Sequence, residues 1–128
     1  MSRRSGAQAL PRAGRLRHAA EMQSVFERGS RVESRAFVLL WRVASGGRKA
    51  GFAVSRRVGG AVQRNRVRRR LREAYRRSVA FPPDLMLVFV GRPAAGSAAF
   101  PDLIAEMERV AARVGERAAS PEALARAR

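Results

Sequence analysis

Between Ser55 and Arg77 the chain reads SRRVGGAVQRNRVRRRLREAYRR, and no other stretch restricts the fold so tightly. On a helix turning ~100° per residue, Val67, Leu71, Ala74, Tyr75 and Ser78 share one arc, with Val79 at its edge. Asn65, Arg68, Arg69, Arg72 and Arg76 share the opposite arc, flanked by Arg66, Arg70 and Arg77, with Arg64 near the first turn. Such a helix has one side to bury and one that must stay in water, so it covers a layer of other elements. Pro82 and Pro83 forbid its continuation, because proline brings no amide N–H and clashes with the preceding turn. Arg68, Arg72 and Arg76 stack like charges four residues apart, which destabilises an isolated helix. Burial of the apolar stripe, or a polyanion laid along the other side, has to offset that.

From Arg48 to Arg77 twelve cations face the single acid Glu73, whereas Ser78 to Arg128 holds six of each sign. The formal net charge of +17 is therefore concentrated in the middle of the chain. Charge of this density repels itself until a polyanion neutralises it, and nucleic acid or an anionic membrane would serve. Arginine makes up 26 of the 27 cations. Its planar fork matches phosphates and base edges in two-point contacts, which favours nucleic acid. A GC-rich genome would explain the excess over lysine but not the clustering. No run of about 18 apolar residues is available as a membrane span. The basic N-terminus lacks the apolar core and cleavage-like site of a signal peptide. With no cysteine there is no disulfide, thiolate nucleophile or cysteine-held metal, and a cytoplasmic protein is expected. The only histidine, His18, has no carboxylate pair nearby, while Asp84 and Asp102 stand where structural acids are common.

In order, residues 1–14 read as a disordered basic tail. Leu16, Ala19, Met22, Val25 and Phe26 recur at helical spacing, ending at Gly29. Ser30–Ser34 suits a short edge strand. Ala36–Val43 (AFVLLWRV) is apolar on both faces, as in a sheet covered on each side. Ser45-Gly46-Gly47 turns the chain, and Lys49–Val54 returns as the second arm of an expected hairpin. After the basic helix, Asp84–Val90 is a continuous apolar strand and is expected at the centre of the sheet. Ala94–Ala99 is expected as a loop of small residues. Phe100, Leu103, Ile104, Met107, Val110 and Val114 mark a final amphipathic helix, with Pro101 in its first turn and Gly115 as its cap. The expected domain spans residues 15–115, followed by a polar tail over 116–128. With 46% hydrophobic content the chain suits one modest core, a single-domain α+β sandwich in the order α-β-β-β-α-β-α with one four-stranded sheet.

Ser55-Arg56-Arg57-Val58-Gly59-Gly60 joins a strand to a helix start, where glycines permit close backbone approach and free amides face a bound phosphate. Phe52 to Arg76 resembles the signature of the bacterial ribonuclease P protein component. The matching positions are Ser55, Val58, Gly59, Ala61, Val62, Arg64, Asn65, Arg66, Arg69, Arg72 and Glu73. Arginine stands for the family's lysine at Arg56, Arg57 and Arg68, whereas Gly60 departs from a usual lysine. The likeness extends over roughly residues 15 to 115.

The resemblance implies the protein subunit of an RNA-based endonuclease that removes the 5′ leader from precursor tRNA. Its catalytic centre lies in the RNA, which holds the magnesium ions; no cofactor is expected on the protein alone. Catalytic-RNA contacts map onto Arg56, Arg57, Arg64, Asn65, Arg66, Arg68, Arg69, Arg72 and Arg76. Leader contacts map onto Met22, Phe26, Phe37 and Leu40, with Arg17 and His18 at the rim of a cleft between the first helix and the sheet. Leu40 and Trp41 must face opposite sides of the sheet, and periodicity alone leaves open which one faces the cleft. The family fold, ribosomal-protein-S5-domain-2-like, also implies a left-handed β-α-β crossover. The partners implied are the catalytic RNA and precursor tRNA, with no membrane and no obligate protein partner. A purely structural RNA-binding protein shares the basic helix. A basic-helix DNA binder fits less well, because the apolar stripe is a core face and no second helix precedes it across a short turn.

Overall fold

The computed structural model describes residues 19–78 and 81–119. Four strands, β1 (Ser30–Glu33), β2 (Phe37–Val43), β3 (Lys49–Val54) and β4 (Leu85–Gly91), form one sheet in the order β1-β2-β4-β3. The helices are α1 (Ala19–Arg28), α2 (Ala61–Arg77), a one-turn α3 (Ala94–Ser97) and α4 (Phe100–Ala118). β4 is apolar throughout and lies in the middle of the sheet, where both of its faces are covered.

That placement overturns the expected hairpin. β2 and β3 do not pair; β4 enters between them. It runs antiparallel to β2, with Phe37 opposite Gly91 and Val43 opposite Leu85. It runs parallel to β3, with Lys49 opposite Met86 and Val54 opposite Gly91. β3 carries Lys49, Gly51 and Ala53 on one face, so it loses less burial at an edge than β4 would. Residues 44–48 therefore cross two strand spacings, about 9.5 Å. Gly46 and Gly47 supply the positive φ angles of this turn, 102° and 92°. Asp84 holds the turn at the start of β4 by accepting the Gly47 N–H at 2.9 Å.

Strand alternation sends Phe37, Leu39 and Trp41 of β2 and Leu85, Leu87 and Phe89 of β4 into the larger core, beneath α2 and α4. Phe89 is its hub, stacked on Phe52 at 5.2 Å and met by Phe37, Tyr75 and Phe81 at 5.5–5.8 Å. The α2 stripe foreseen from the sequence, Val67, Leu71, Ala74 and Tyr75, is buried here. Gly91 has to be glycine. A β-carbon there would stand 2.5 Å from Val67 Cγ1 and 3.0 Å from Leu71 Cδ1, forcing α2 away from the sheet. Burial pushes the Tyr75 phenol above its ordinary value, opposed by the Arg48 guanidinium over its ring.

The other sheet face carries a smaller core of Val25 and Val88, with Met22, Leu40, Met86 and Val90 packed around them. α1 is held to this face by Lys49 to Glu21 at 2.9 Å and by Arg42 to Ser24 at 3.3 Å. It ends at Gly29, where a side chain would collide with the Val25 and Trp41 carbonyls.

Two further expectations change. Ala94–Ser97 forms a helical turn rather than a loop, burying Ala95. α4 continues through Gly115 to Ala118 because Val114 and Ala118 still face the core. Among the described residues no helix is long and apolar enough to cross a membrane.

Candidate nucleic-acid interface

The connection into α2 is built by local hydrogen bonds. Ser55 Oγ accepts the Arg57 N–H at 3.2 Å and starts a 3-10 turn over Arg56–Val58. Gly59 then takes φ 127°, a conformation that side chains rarely adopt. Gly60 is extended instead, and a β-carbon there would find Gln63 Oε1 at 3.5 Å, an ordinary contact. Only the first glycine of the pair is thus demanded by the backbone. Arg64 donates back to the Gly59 carbonyl at 3.0 Å, which fixes the loop against the first turn of α2.

Beyond that turn the arginines divide by what they touch. Arg68 donates to Asn65 Oδ1 at 2.8 Å, and together with exposed Arg69 they form an open guanidinium-and-amide face. Arg66 and Arg70 reach across to α3, donating to the Gly96 carbonyl at 3.2 Å and the Ala95 carbonyl at 2.8 Å. Arg70 also binds the Ala98 carbonyl, so it satisfies backbone acceptors at the end of α3. Burial, with Arg66 adding repulsion, lowers its guanidinium below the usual arginine value. Arg72 lies 5.6 Å over the Phe52 ring, and Arg77 5.5 Å over Phe100. Arg76 is turned inward, its side chain 16% exposed and paired with Glu73. Of the positions expected at the RNA, Arg64, Asn65, Arg68 and Arg69 form a continuous outward group. Arg66 and Arg72 border it, and Arg76 is withdrawn. Val62, 79% exposed, stands on the first turn of the same helix.

On the opposite face of the sheet, Met22 and Leu40 pack around Val25 and Val88, and Phe26 follows Met22 one turn along α1. Met22 and Leu40 are half-buried, and Phe26 is 48% exposed. Phe37 is not with them. It is fully buried in the larger core, edge-on to Phe89, because odd-numbered β2 residues point toward α2 and α4. The same parity decides the open pair: Trp41 is core and Leu40 faces α1. Arg17 and His18 lie outside the described residues.

Further along this face a concavity of about 440 Å³ is lined by Val38 and Val90 and rimmed by Arg35, Arg57 and Arg92. Arg57, expected with Arg56 on the catalytic-RNA side, borders this concavity instead. Arg35 and Arg92 escaped the sequence reading, since nothing in SRAFVLL or GRP places them at one rim. Arg92 is held by the Ser34 carbonyl at 2.6 Å and Glu33 at 2.9 Å. That hydrogen bond, with Arg31 beside it, keeps the Glu33 carboxyl below the usual range.

A cationic helix face on one side of the sheet and, on the other, an arginine-rimmed concavity beside the apolar packing of α1 suit two different stretches of polyanion. They define a basic α+β nucleic-acid-binding protein. Comparison with known proteins narrows the class. The profile of the ribonuclease P family matches residues 10–115. The ribonuclease P protein component of Acidothermus cellulolyticus is 40% identical over 109 residues, covering 82% of this chain and 91% of its own. That of Gluconacetobacter diazotrophicus is 40% identical over 112 residues, covering 84% and 97%. The RNase P protein of Thermotoga maritima superposes with a TM-score of 0.69 at 25% identity, covering 77% of this chain and 96% of that one. This chain belongs to the ribonuclease P protein family.

Proposed function

We propose that this chain, the protein subunit of ribonuclease P in tRNA 5′ processing, works through two surfaces. Arg64, Asn65, Arg68 and Arg69 on α2 dock on the catalytic RNA, and the cleft between α1 and the sheet receives the 5′ leader of the precursor. The observation that carries this reading is the placement of the two surfaces on opposite faces of one sheet. The protein can then grip one RNA while presenting the cleft to another. Guanidinium groups of the outward cluster neutralise phosphates and release counterions. Single strands are held by stacking and backbone neutralisation. Phe26 offers an exposed ring, Met22 and Leu40 an apolar floor, and Arg57 a cation further along.

Magnesium supplies the metal-assisted hydrolysis in such an enzyme, and we place it in the RNA. The described residues contain no group of three His, Cys, Asp or Glu able to hold a metal ion, so none of their donor sets fits it. We place the protein in the cytoplasm, where precursor tRNA is made.

Cleavage of a precursor tRNA by ribonuclease P RNA at low magnesium tests the reading. Added protein is expected to raise the rate, and no gain over RNA alone would sink it. In the same assay Phe26→Ala should weaken precursor binding by about 1 kcal/mol, roughly fivefold, with mature tRNA unaffected. An equal loss on both tRNAs would remove Phe26 from the leader path.

A further inference from the structure

A second group of arginines assembles at the sheet edge farthest from α2. α4 turns Arg109, Arg113 and Arg117 to its β1 side, where Arg117 donates to the Arg31 carbonyl at 3.3 Å. Arg35 joins them across a pocket of about 450 Å³ that it lines together with Arg109, Asp102 and Glu106. The acids nearby are mostly committed. Glu106 accepts from Ser34 Oγ and, at 2.7 Å, from the Ala36 N–H. Glu33 is engaged by Arg31 and Arg92. Glu108 stands about 100° round the helix from Arg109, and Glu116, about 60° from Arg113, makes no ion pair with it. Among the described residues, exposed Arg35, Arg109 and Arg113 have no ion-pair partner, and Asp102 is the remaining acid of the pocket.

Spacing and position identify the occupant. Arginines four residues apart on a helix step by about 6 Å, matching successive phosphates along one nucleic-acid strand. β1 and β3 are the two edges of the sheet, about 14 Å apart, with α2 toward β3 and this group at β1. One RNA segment on α2 therefore leaves these charges unmatched. We propose that the β1 edge and adjoining side of α4 form a second phosphodiester-binding surface, which holds the backbone of a helical RNA segment. The proposal rests on the proposed function for its RNA occupant, not for which RNA that is.

The triple variant Arg35→Gln/Arg109→Gln/Arg113→Gln removes the unpaired charges while keeping good helix formers in α4. Two probes are titrated over a salt series: ribonuclease P RNA, and an RNA duplex of roughly 16 base pairs. The slope of log affinity against log salt is expected to fall by about 2–2.7 on at least one probe, at ~0.7–0.9 per phosphate. Lysine at the same positions should keep the slope. Should the triple variant misfold, Arg113→Gln alone should lower the slope by about 0.7–0.9. Unchanged slopes on both probes overturn the proposal. So does a lysine variant that loses as much as the glutamine one, or a loss confined to binding of polyglutamate, which would mark a protein-docking edge. A wild-type chain that binds the duplex but does not stimulate ribonuclease P RNA would sink the proposed function alone, leaving this surface measurable on the duplex.

Discussion

Phe89→Ala is expected to destabilise the fold by about 3–5 kcal/mol, the range for truncating a large aromatic in a closed core. The residue is 0% exposed on the central strand, and four other rings meet it, so neither solvent nor a flexible neighbour can fill the space. Against a total of roughly 5–15 kcal/mol for a domain, the loss would leave a marginal protein. Urea denaturation followed by circular dichroism measures it, with a Tm lower by roughly 10–20 °C as the thermal counterpart. Phe37→Ala should behave likewise, since it shares the same core. A loss below about 1 kcal/mol for either would mean that the ring cluster does not hold the sheet to α2. Retained stability with impaired leader binding in Phe37→Ala would return that residue to the cleft.

These aromatics show where the sequence was legible and where it was not. The two sides of α2 could be read from periodicity alone, because a helix with charge on one side has only one orientation against a core. β4 could be placed at the centre for a related reason, being apolar on both faces. Sheet order could not be read, because the insertion of β4 between β2 and β3 pairs segments far apart in the chain. Alternation puts Phe37 and Leu40 on opposite faces, so the mapping of both onto the cleft could not hold, but α1 names the cleft side, and its docking through Val25 on Val88 is a tertiary fact. Small residues hid α3, since Ala94–Ser97 carries no apolar period. Gly115 read as a cap because glycine costs about 1 kcal/mol within a helix; burial of Val114 and Ala118 outweighs that. The charge of the arginines was plain, but not their partners. Arg66 and Arg70 answer carbonyls of α3, a need that exists only once α3 has formed.

That division of arginines leads to the largest functional effect. Arg64→Gln/Arg68→Gln/Arg69→Gln should abolish protein-dependent cleavage at low magnesium and lower the salt slope for ribonuclease P RNA by about 2–2.7. The fold should hold, since only the exposed Arg64 bond to the Gly59 carbonyl and the Arg68 bond to Asn65 are lost. These side chains carry no core packing, and removing Arg68 relieves its i,i+4 repulsion with Arg72, worth about 0.2–0.5 kcal/mol. Arg70→Gln should show the reverse pattern. Its bonds to the Ala95 and Ala98 carbonyls tie α2 to α3, and losing them should cost about 1–3 kcal/mol of stability with the slope nearly unchanged. The two variants remove the same kind of side chain from one helix, so net charge alone predicts that each lowers the slope in proportion to the charges removed. Local partners predict opposite signatures, function lost in one and stability in the other. Equal slope losses per arginine would show α2 acting only as a diffuse cation. The expected separation would show that its outward face docks the RNA while its flank holds the fold together.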